Sequence, residues 1–151
     1  MRASLGAALG RALDAEANPL DGGPCVDGIR ICLGAPAISP AQRRAIVEPL
    51  WTGVRCIDAL LTIGRGARIG LFGAPGAGKS TLLEAIVRGS RADAVVVGLI
   101  GERGREAQRW ISALDERSTV ICATGDRPAR ERIRAAEVFI AVVAARYWLT
   151  D

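Results

Sequence analysis

Histidine is absent from the 151 residues. That removes His-based triads, His metal sites and imidazole acid–base chemistry. Aromatics make up only 4% of the chain, so the core has to be built from Ala, Val, Ile and Leu. The four cysteines, Cys25, Cys32, Cys56 and Cys122, never fall in a C-x-x-C spacing, and without His they make a poor zinc set. They read as small buried hydrophobes in a reducing compartment. No sustained apolar stretch opens the chain, so no signal peptide is expected. The longest apolar run, Val138 to Ala145, falls far short of the ~20 residues that cross a bilayer. The expectation is a soluble, cytoplasmic protein.

What is present is an ordinary globular composition, 50% hydrophobic and 24% charged. It is too apolar for a disordered tail. Net charge is +4, which weakly favours an anionic partner but also suits an arginine-rich surface. Lysine is the informative scarcity: the 20 basic residues include one Lys, Lys79, and it sits in a glycine-rich loop.

The first fifty residues read as a loop-rich lead-in, with turn signals at Asn18-Pro19, Asp21-Gly-Gly-Pro24 and Ser39-Pro40. Within it only Leu5 to Asp14 has helical spacing, through Leu5, Leu9 and Leu13. A helix is expected over Gly53–Leu61, with Val54, Ile57, Leu60 and Leu61 on one face. From Arg68 strands and helices alternate. Strands are expected at Arg68–Phe72, Ala94–Ile100 (buried on both faces) and Thr119–Ala123. Helices are expected at Lys79–Arg88, with Leu82, Leu83 and Ile86 inward, at Gly104–Leu114, and at Pro128–Trp148 with Pro near its first turn. This alternation predicts βαβ units, a parallel sheet and the α/β class.

Gly73-Ala-Pro-Gly-Ala-Gly-Lys-Ser80 fits G-x-x-x-x-G-K-[ST] in full. Glycines 73, 76 and 78 let backbone N–H groups face a phosphate with no Cβ in the way. The helix beginning near Lys79 turns its positive end to the same anion. The pattern assigns nucleotide binding to Gly73, Ala74, Pro75, Gly76, Ala77, Gly78, Lys79, Ser80 and Thr81. Lys79 reaches the β and γ phosphates, and the Ser80 hydroxyl is a Mg²⁺ ligand. A chance glycine-rich turn is the alternative, and the strand–loop–helix context weighs against it.

The second strand ends in Gly101-Glu-Arg-Gly-Arg-Glu106. Ligands in open α/β sheets bind at strand carboxyl ends, so Glu102 is expected to face the crevice of the phosphate loop. There it would activate the attacking water, with Arg103 orienting it or reaching a phosphate. The residues alone allow a second reading equally well, a solvated charge cluster at the start of the next helix.

Gly73–Thr81, Val95-Val-Val-Gly-Leu-Ile-Gly-Glu-Arg-Gly-Arg-Glu106 and Thr124-Gly-Asp-Arg-Pro128 resemble the catalytic subunits of the rotary ATPase α/β superfamily. The likeness is greatest to its type III secretion and flagellar export ATPases. Leu9-Gly-Arg-Ala-Leu-Asp14, Asn18-Pro-Leu-Asp-Gly22, Glu48-Pro-Leu-Trp-Thr-Gly-Val-Arg55 and Ile57-Asp58 extend it over nearly the whole chain. The resemblance implies a RecA-like P-loop NTPase sheet with ATP and Mg²⁺. Lys79, Glu102 and Arg103 would be catalytic and Ser80 the metal ligand. It further implies a hexameric ring working with the export apparatus and with secreted substrates and chaperones. Such a ring would be cytoplasmic and at most peripheral at the inner face of the membrane, with no nucleic acid partner.

On the same resemblance the domain is incomplete. The Walker B strand with its Mg²⁺-shell Asp, the arginine finger and the C-terminal helical domain would lie beyond Asp151, and the N-terminal β-barrel is missing. Residues 51–151 would then be a partial P-loop ATPase domain, a truncated gene product or a piece of a longer enzyme, with an unpaired edge in its sheet. Trp51 replaces a usual proline and is expected to pack. Val138 to Ala145 is more apolar than the corresponding helix, as if buried. ATP binding without appreciable hydrolysis is expected of these residues alone. A non-hydrolysing nucleotide-binding or subunit-interaction remnant is the main alternative, and an ATP synthase-type subunit fragment another. An RNA-translocating helicase fits less well, because Lys79-Ser-Thr81 and Gly101–Glu106 speak against it.

Overall fold

The computed structural model describes residues 8–26, 39, 41 and 45–147, with side chains to 143. Its elements run β1 (Ala12–Leu13), β2 (Pro49–Leu50), α1 (Arg55–Leu60), β3 (Ile63–Gly64) and α2 (Lys79–Gly89). They continue with β4 (Val95–Ile100), α3 (Gly104–Ser112), β5 (Ser118–Ala123) and α4 (Ala129–Tyr147). The chain divides into two compact units, Ala37–Asp93 and the pair Met1–Pro36 with Ala94–Asp151.

In the discontinuous unit the sheet order is β1-β5-β4, and both pairings are parallel. β5 is central and every one of its residues is buried, as expected for a strand with a partner on each side. α4 covers the face that carries Ile121 and Ala123. It buries Ala135, Val138 and Val142 at i, i+3 and i+7, with Val96, Ile100 and Phe139 packed around them. Gly98 makes this seating possible, because a Cβ there would stand 3.0 Å from the Phe139 ring. The alternate residues Val97, Leu99, Val120 and Cys122 are also buried and line the opposite face.

β1 corrects the helix expected over Leu5–Asp14, whose first residues lie outside those described. Gly10 and Arg11 enter a ladder instead: Gly10 N–H donates to Ser118 O, and Val120 N–H to Arg11 O. Ala12 and Leu13 are fully buried beside Val120 and Ile121. Docking on β5 satisfies backbone groups that an isolated turn of helix would leave to water.

This edge is pinned by one carboxylate. Asp21 accepts a bidentate pair from Arg11 (Nε 2.8 Å, Nη2 2.9 Å) and N–H bonds from Ala12 and Gly23. The Arg11 hydrogen bonds, with help from the two backbone N–H groups, hold the Asp21 carboxyl well below the usual carboxylate range. A depressed folded-state pKa contributes stability that is present above the unfolded value of ~4 and is lost as pH falls toward the folded one. Asp21→Asn is therefore expected to lower Tm by several degrees at pH 7 and to flatten the acid limb of Tm against pH. An acid limb identical to that of the wild type would contradict this role.

In the other unit β2 and β3 form an antiparallel pair, Pro49 opposite Gly64 and Leu50 opposite Ile63. The strand expected at Arg68–Phe72 is not formed. The segment precedes the phosphate loop but has no ladder partner among the described residues, and Phe72 is 93% exposed. An apolar run alone does not make a strand; a neighbour must supply the other half of each hydrogen bond. α1 and α2 form as expected, but their inward faces are thinner. Only Ile57 of α1 is buried, Leu60 and Leu61 are exposed, and α2 buries no residue, with Leu83 exposed and Leu82 and Ile86 half-buried.

Other expectations are corrected by exposure. β4 is only partly buried on both faces, since Val95, Val96 and Ile100 are half-buried. Cys25 and Cys56 are exposed and only Cys122 is buried, while Cys32 lies outside the described residues. Trp51 is 49% exposed rather than packed. The apolar stretch of α4 buries Val138 and Val142 but exposes Ile140 and Val143. No described helix is long and apolar enough to cross a membrane.

Candidate nucleotide site

The phosphate loop lies in the unit Ala37–Asp93. Gly76 and Gly78 are both left-handed, φ 79° and 83°, with open space where a Cβ would point. Ala77 N–H bonds to Ala74 O at 3.1 Å and closes the tip of the loop. Gly78 is the N-cap of α2, which has no side-chain cap. The first N–H groups of the helix therefore have no intrahelical partner and no cap side chain to accept them. A helix start in that condition suits an anion.

Lys79 crosses its own loop. Its Nζ donates to Gly73 O at 2.5 Å and Ala74 O at 2.9 Å. The lysine stem passes close over Gly73, where a Cβ would lie 3.6 Å from Lys79 Cγ. The ammonium is thus carried on an exposed loop beside the free N–H groups, where a phosphate would compete for it with two carbonyls.

Ser80 follows in the first turn of α2 and is exposed. No cluster of three His, Cys, Asp or Glu side chains capable of holding a metal occurs among the described residues. The donor chemistry that fits Ser80 is the Mg²⁺–phosphate arrangement of P-loops, in which one hydroxyl, substrate oxygens and water share the ion.

Glu102 and Arg103 belong to the other unit. β4 ends at Ile100, and the next residue, Gly101, is left-handed at φ 81°. Two backbone bonds then knit the ends of β4 and β5: Gly101 N–H to Ala123 O at 2.8 Å, and Gly125 N–H to Glu102 O at 2.9 Å. A Cβ on Gly125 would stand 3.1 Å from Gly101 O, so a side chain there would press on this backbone. Arg103 is the N-cap of α3 in extended conformation and makes no side-chain capping bond.

Sequence reasoning passed over Glu106 as a functional partner, although its spacing of four from Glu102 was readable. The two carboxyl groups face each other at the start of α3, close enough for the pair to share a side-chain hydrogen bond. That bond, with partial burial and the neighbouring charge of Glu106, raises the Glu102 pKa above its ordinary 4.5. A raised carboxyl keeps its proton to higher pH in the folded chain. Stability is therefore expected to fall as pH rises from the ordinary value through the raised one. Glu106→Gln, which removes the like charge, should flatten that fall in urea titrations between pH 4 and 7; an unchanged slope would contradict the pairing. Nearby, the Thr124 hydroxyl holds the Asp126 carboxyl below its usual value.

A parallel α/β sheet and a glycine loop that opens a helix define the P-loop nucleotide-binding class. The sequence profile of the ATP synthase alpha/beta family, nucleotide-binding domain, matches residues 53–151, and the chain belongs to that family. It is 44% identical over 142 residues to the type 3 secretion system ATPase of Xanthomonas euvesicatoria, covering 90% of this chain and 32% of that protein. Against the flagellum-specific ATP synthase of Salmonella typhimurium it is 50% identical over 126 residues, 80% of this chain and 28% of that one.

A solved prototypical ATPase from the type III secretion system of pathogenic bacteria superposes with TM-score 0.82 at 39% identity. That match covers 98% of this chain and 43% of the other. The assembled ATPase EscN from enteropathogenic E. coli gives 0.81 at 38% identity, covering 97% and 36%. The chain thus spans about a third of the length of the curated relatives.

Proposed function

We propose that this chain is the nucleotide-binding part of an ATPase that energises protein export through a type III secretion or flagellar system. The observation that carries the reading is the phosphate loop. Left-handed Gly76 and Gly78 lead into the uncapped start of α2, with Lys79 and Ser80 in its first turn. The similarity to secretion and flagellar ATPases supports the export role.

In this reading Gly73–Thr81 wraps the phosphates of ATP. Lys79 exchanges its two carbonyl partners for β and γ oxygens, and Ser80 takes one position on Mg²⁺. Mg²⁺ held there through Ser80 would supply positive charge to offset the charge that develops on the phosphate. Glu102 accepts the proton of the attacking water, and its raised pKa makes it a better base than an ordinary glutamate. Arg103 supports the γ-phosphate region. The full protein would work as a homo-oligomeric ring on the cytoplasmic side, with export components and secreted cargo as partners. EscN, solved both assembled and in complex with its central stalk EscO, supports the oligomer and the partner binding.

A second reading for these 151 residues by themselves is nucleotide binding without turnover. Thermal unfolding tests the binding step common to both. MgATP at a hundred times its Kd should add ~2.7 kcal/mol to the folded state. The shift should vanish in Lys79→Ala. An equal shift in both proteins, or none in either, would overturn the site.

A further inference from the structure

α2 carries the phosphate loop on its amino end, yet buries no residue of its own. Its carboxyl end is seated at one backbone crossing. A Cβ on Gly89, the last residue of α2, would stand 2.5 Å from Thr52 O and 3.0 Å from Gly53 Cα. Conversely, a Cβ on Gly53 would stand 2.7 Å from Gly89 Cα. Backbone meets backbone here, so no rotamer change can make room. Gly53 is also left-handed at φ 75°, a conformation that side chains resist.

The turn that receives Gly89 is held from two sides. Asp58 of α1 accepts N–H bonds from Thr52 (2.9 Å) and Gly53 (3.0 Å) and the Thr52 hydroxyl at 2.7 Å. Thr52 is fully buried. Arg91, just past α2, donates its N–H to Trp51 O at 3.2 Å, and its charge also favours the Asp58 carboxylate. The hydrogen bonds that Asp58 of α1 accepts thus hold the same Thr52–Gly53 turn on which Gly89 of α2 is seated. At 1.5 Å per residue the 11 residues of α2 make a lever of about 16 Å, so a tilt of about 10° at Gly89 moves the loop about 3 Å.

We propose that the Thr52–Gly53 turn, locked by Asp58 and seated on Gly89, is a positioning element for the phosphate loop that sets its affinity for nucleotide without touching the ligand. The proposal rests on the nucleotide reading of Gly73–Thr81. The positioning residues are Thr52, Gly53, Asp58 and Gly89.

The test compares Gly89→Ala, Asp58→Asn and Thr52→Val with Thr52→Ser, which keeps the hydroxyl, and with Leu60→Ala at an exposed site on the same helix as Asp58. MgATP affinity and amide exchange at Leu82–Ile86, the first hydrogen-bonded turn after the loop, are both measured. Gly89→Ala and Asp58→Asn should weaken MgATP tenfold or more and speed exchange at Leu82–Ile86. Thr52→Val should move both in the same direction, while Thr52→Ser and Leu60→Ala stay near wild type. If Gly89→Ala does not fold, Thr52→Val, nearly unchanged in volume, carries the comparison.

Unchanged exchange at Leu82–Ile86 in the folded clamp variants, or unchanged MgATP affinity despite faster exchange, would overturn the proposal. A wild type that binds no MgATP would instead sink the nucleotide reading. Exchange would then decide alone whether the turn positions α2: faster exchange sustains that, and exchange raised only near residues 52–58 and 87–91 overturns it.

Discussion

Replacing Glu102 by Gln in a preparation that turns over ATP is expected to lower kcat by about 10²–10⁴, the range assigned to a positioned general base. Gln keeps the size of the side chain and can still hydrogen-bond to Glu106, but it cannot take a proton. The backbone around it should not move. Left-handed Gly101 and the Gly125 N–H bond to Glu102 O set the turn without using the side chain. Affinity for MgATP should stay close to wild type, because phosphate binding is assigned to Gly73–Thr81. A fall in affinity with kcat preserved would place Glu102 in binding; unchanged kcat and affinity would return it to a solvated charge at the start of α3.

The second large effect concerns the sheet. Ile121→Ala is expected to destabilise the fold by about 2–5 kcal/mol, the range for removing a large aliphatic side chain from a packed core. Ile121 is fully buried at the centre of β5, paired with Leu13 on one side and Gly98 on the other. Its side chain packs with Ala135, Val138 and Val142 of α4, so the cavity would open where three strands and a helix meet. Ile140→Ala, on the exposed side of the same helix, should change stability by less than about 0.5 kcal/mol. Urea unfolding of the two variants checks this. Similar losses in both would mean that the exposed face of α4 is packed in solution.

The elements legible in the sequence were those that carry their own signal. β4 and β5 are short runs rich in β-branched residues, α2 follows a glycine loop, and α4 has Pro128 directly before it. β1 was not legible, because two residues have no period and their strand character comes from a partner far along the chain. Arg68–Phe72 shows the converse: it reads as a short apolar strand, but among the described residues no neighbour closes a ladder with it, and it stays exposed.

Within the candidate site, the glycine loop and the start of α2 at Lys79 were legible to the residue. Glycine spacing, one lysine and one hydroxyl are local requirements that depend little on the rest of the fold. The coupling of Glu102 to Glu106 needed the geometry of the α3 start. The seating of Gly89 on Thr52–Gly53 was invisible to periodicity, because glycines leave no pattern of their own. Asp58 was legible as a residue of a short helix and, with Ile57, as part of the family resemblance; its hold on the turn that seats the phosphate-loop helix needed the geometry.

Equilibrium dialysis of ATP against the 151-residue chain, with and without Mg²⁺ and beside Lys79→Ala, tests the central assignment most directly. Saturable binding at one site per chain, tightened by Mg²⁺ and lost in Lys79→Ala, is the predicted result. ATP retained equally by Lys79→Ala, or not retained by the wild type, would contradict the assignment of Gly73–Thr81 as a nucleotide site.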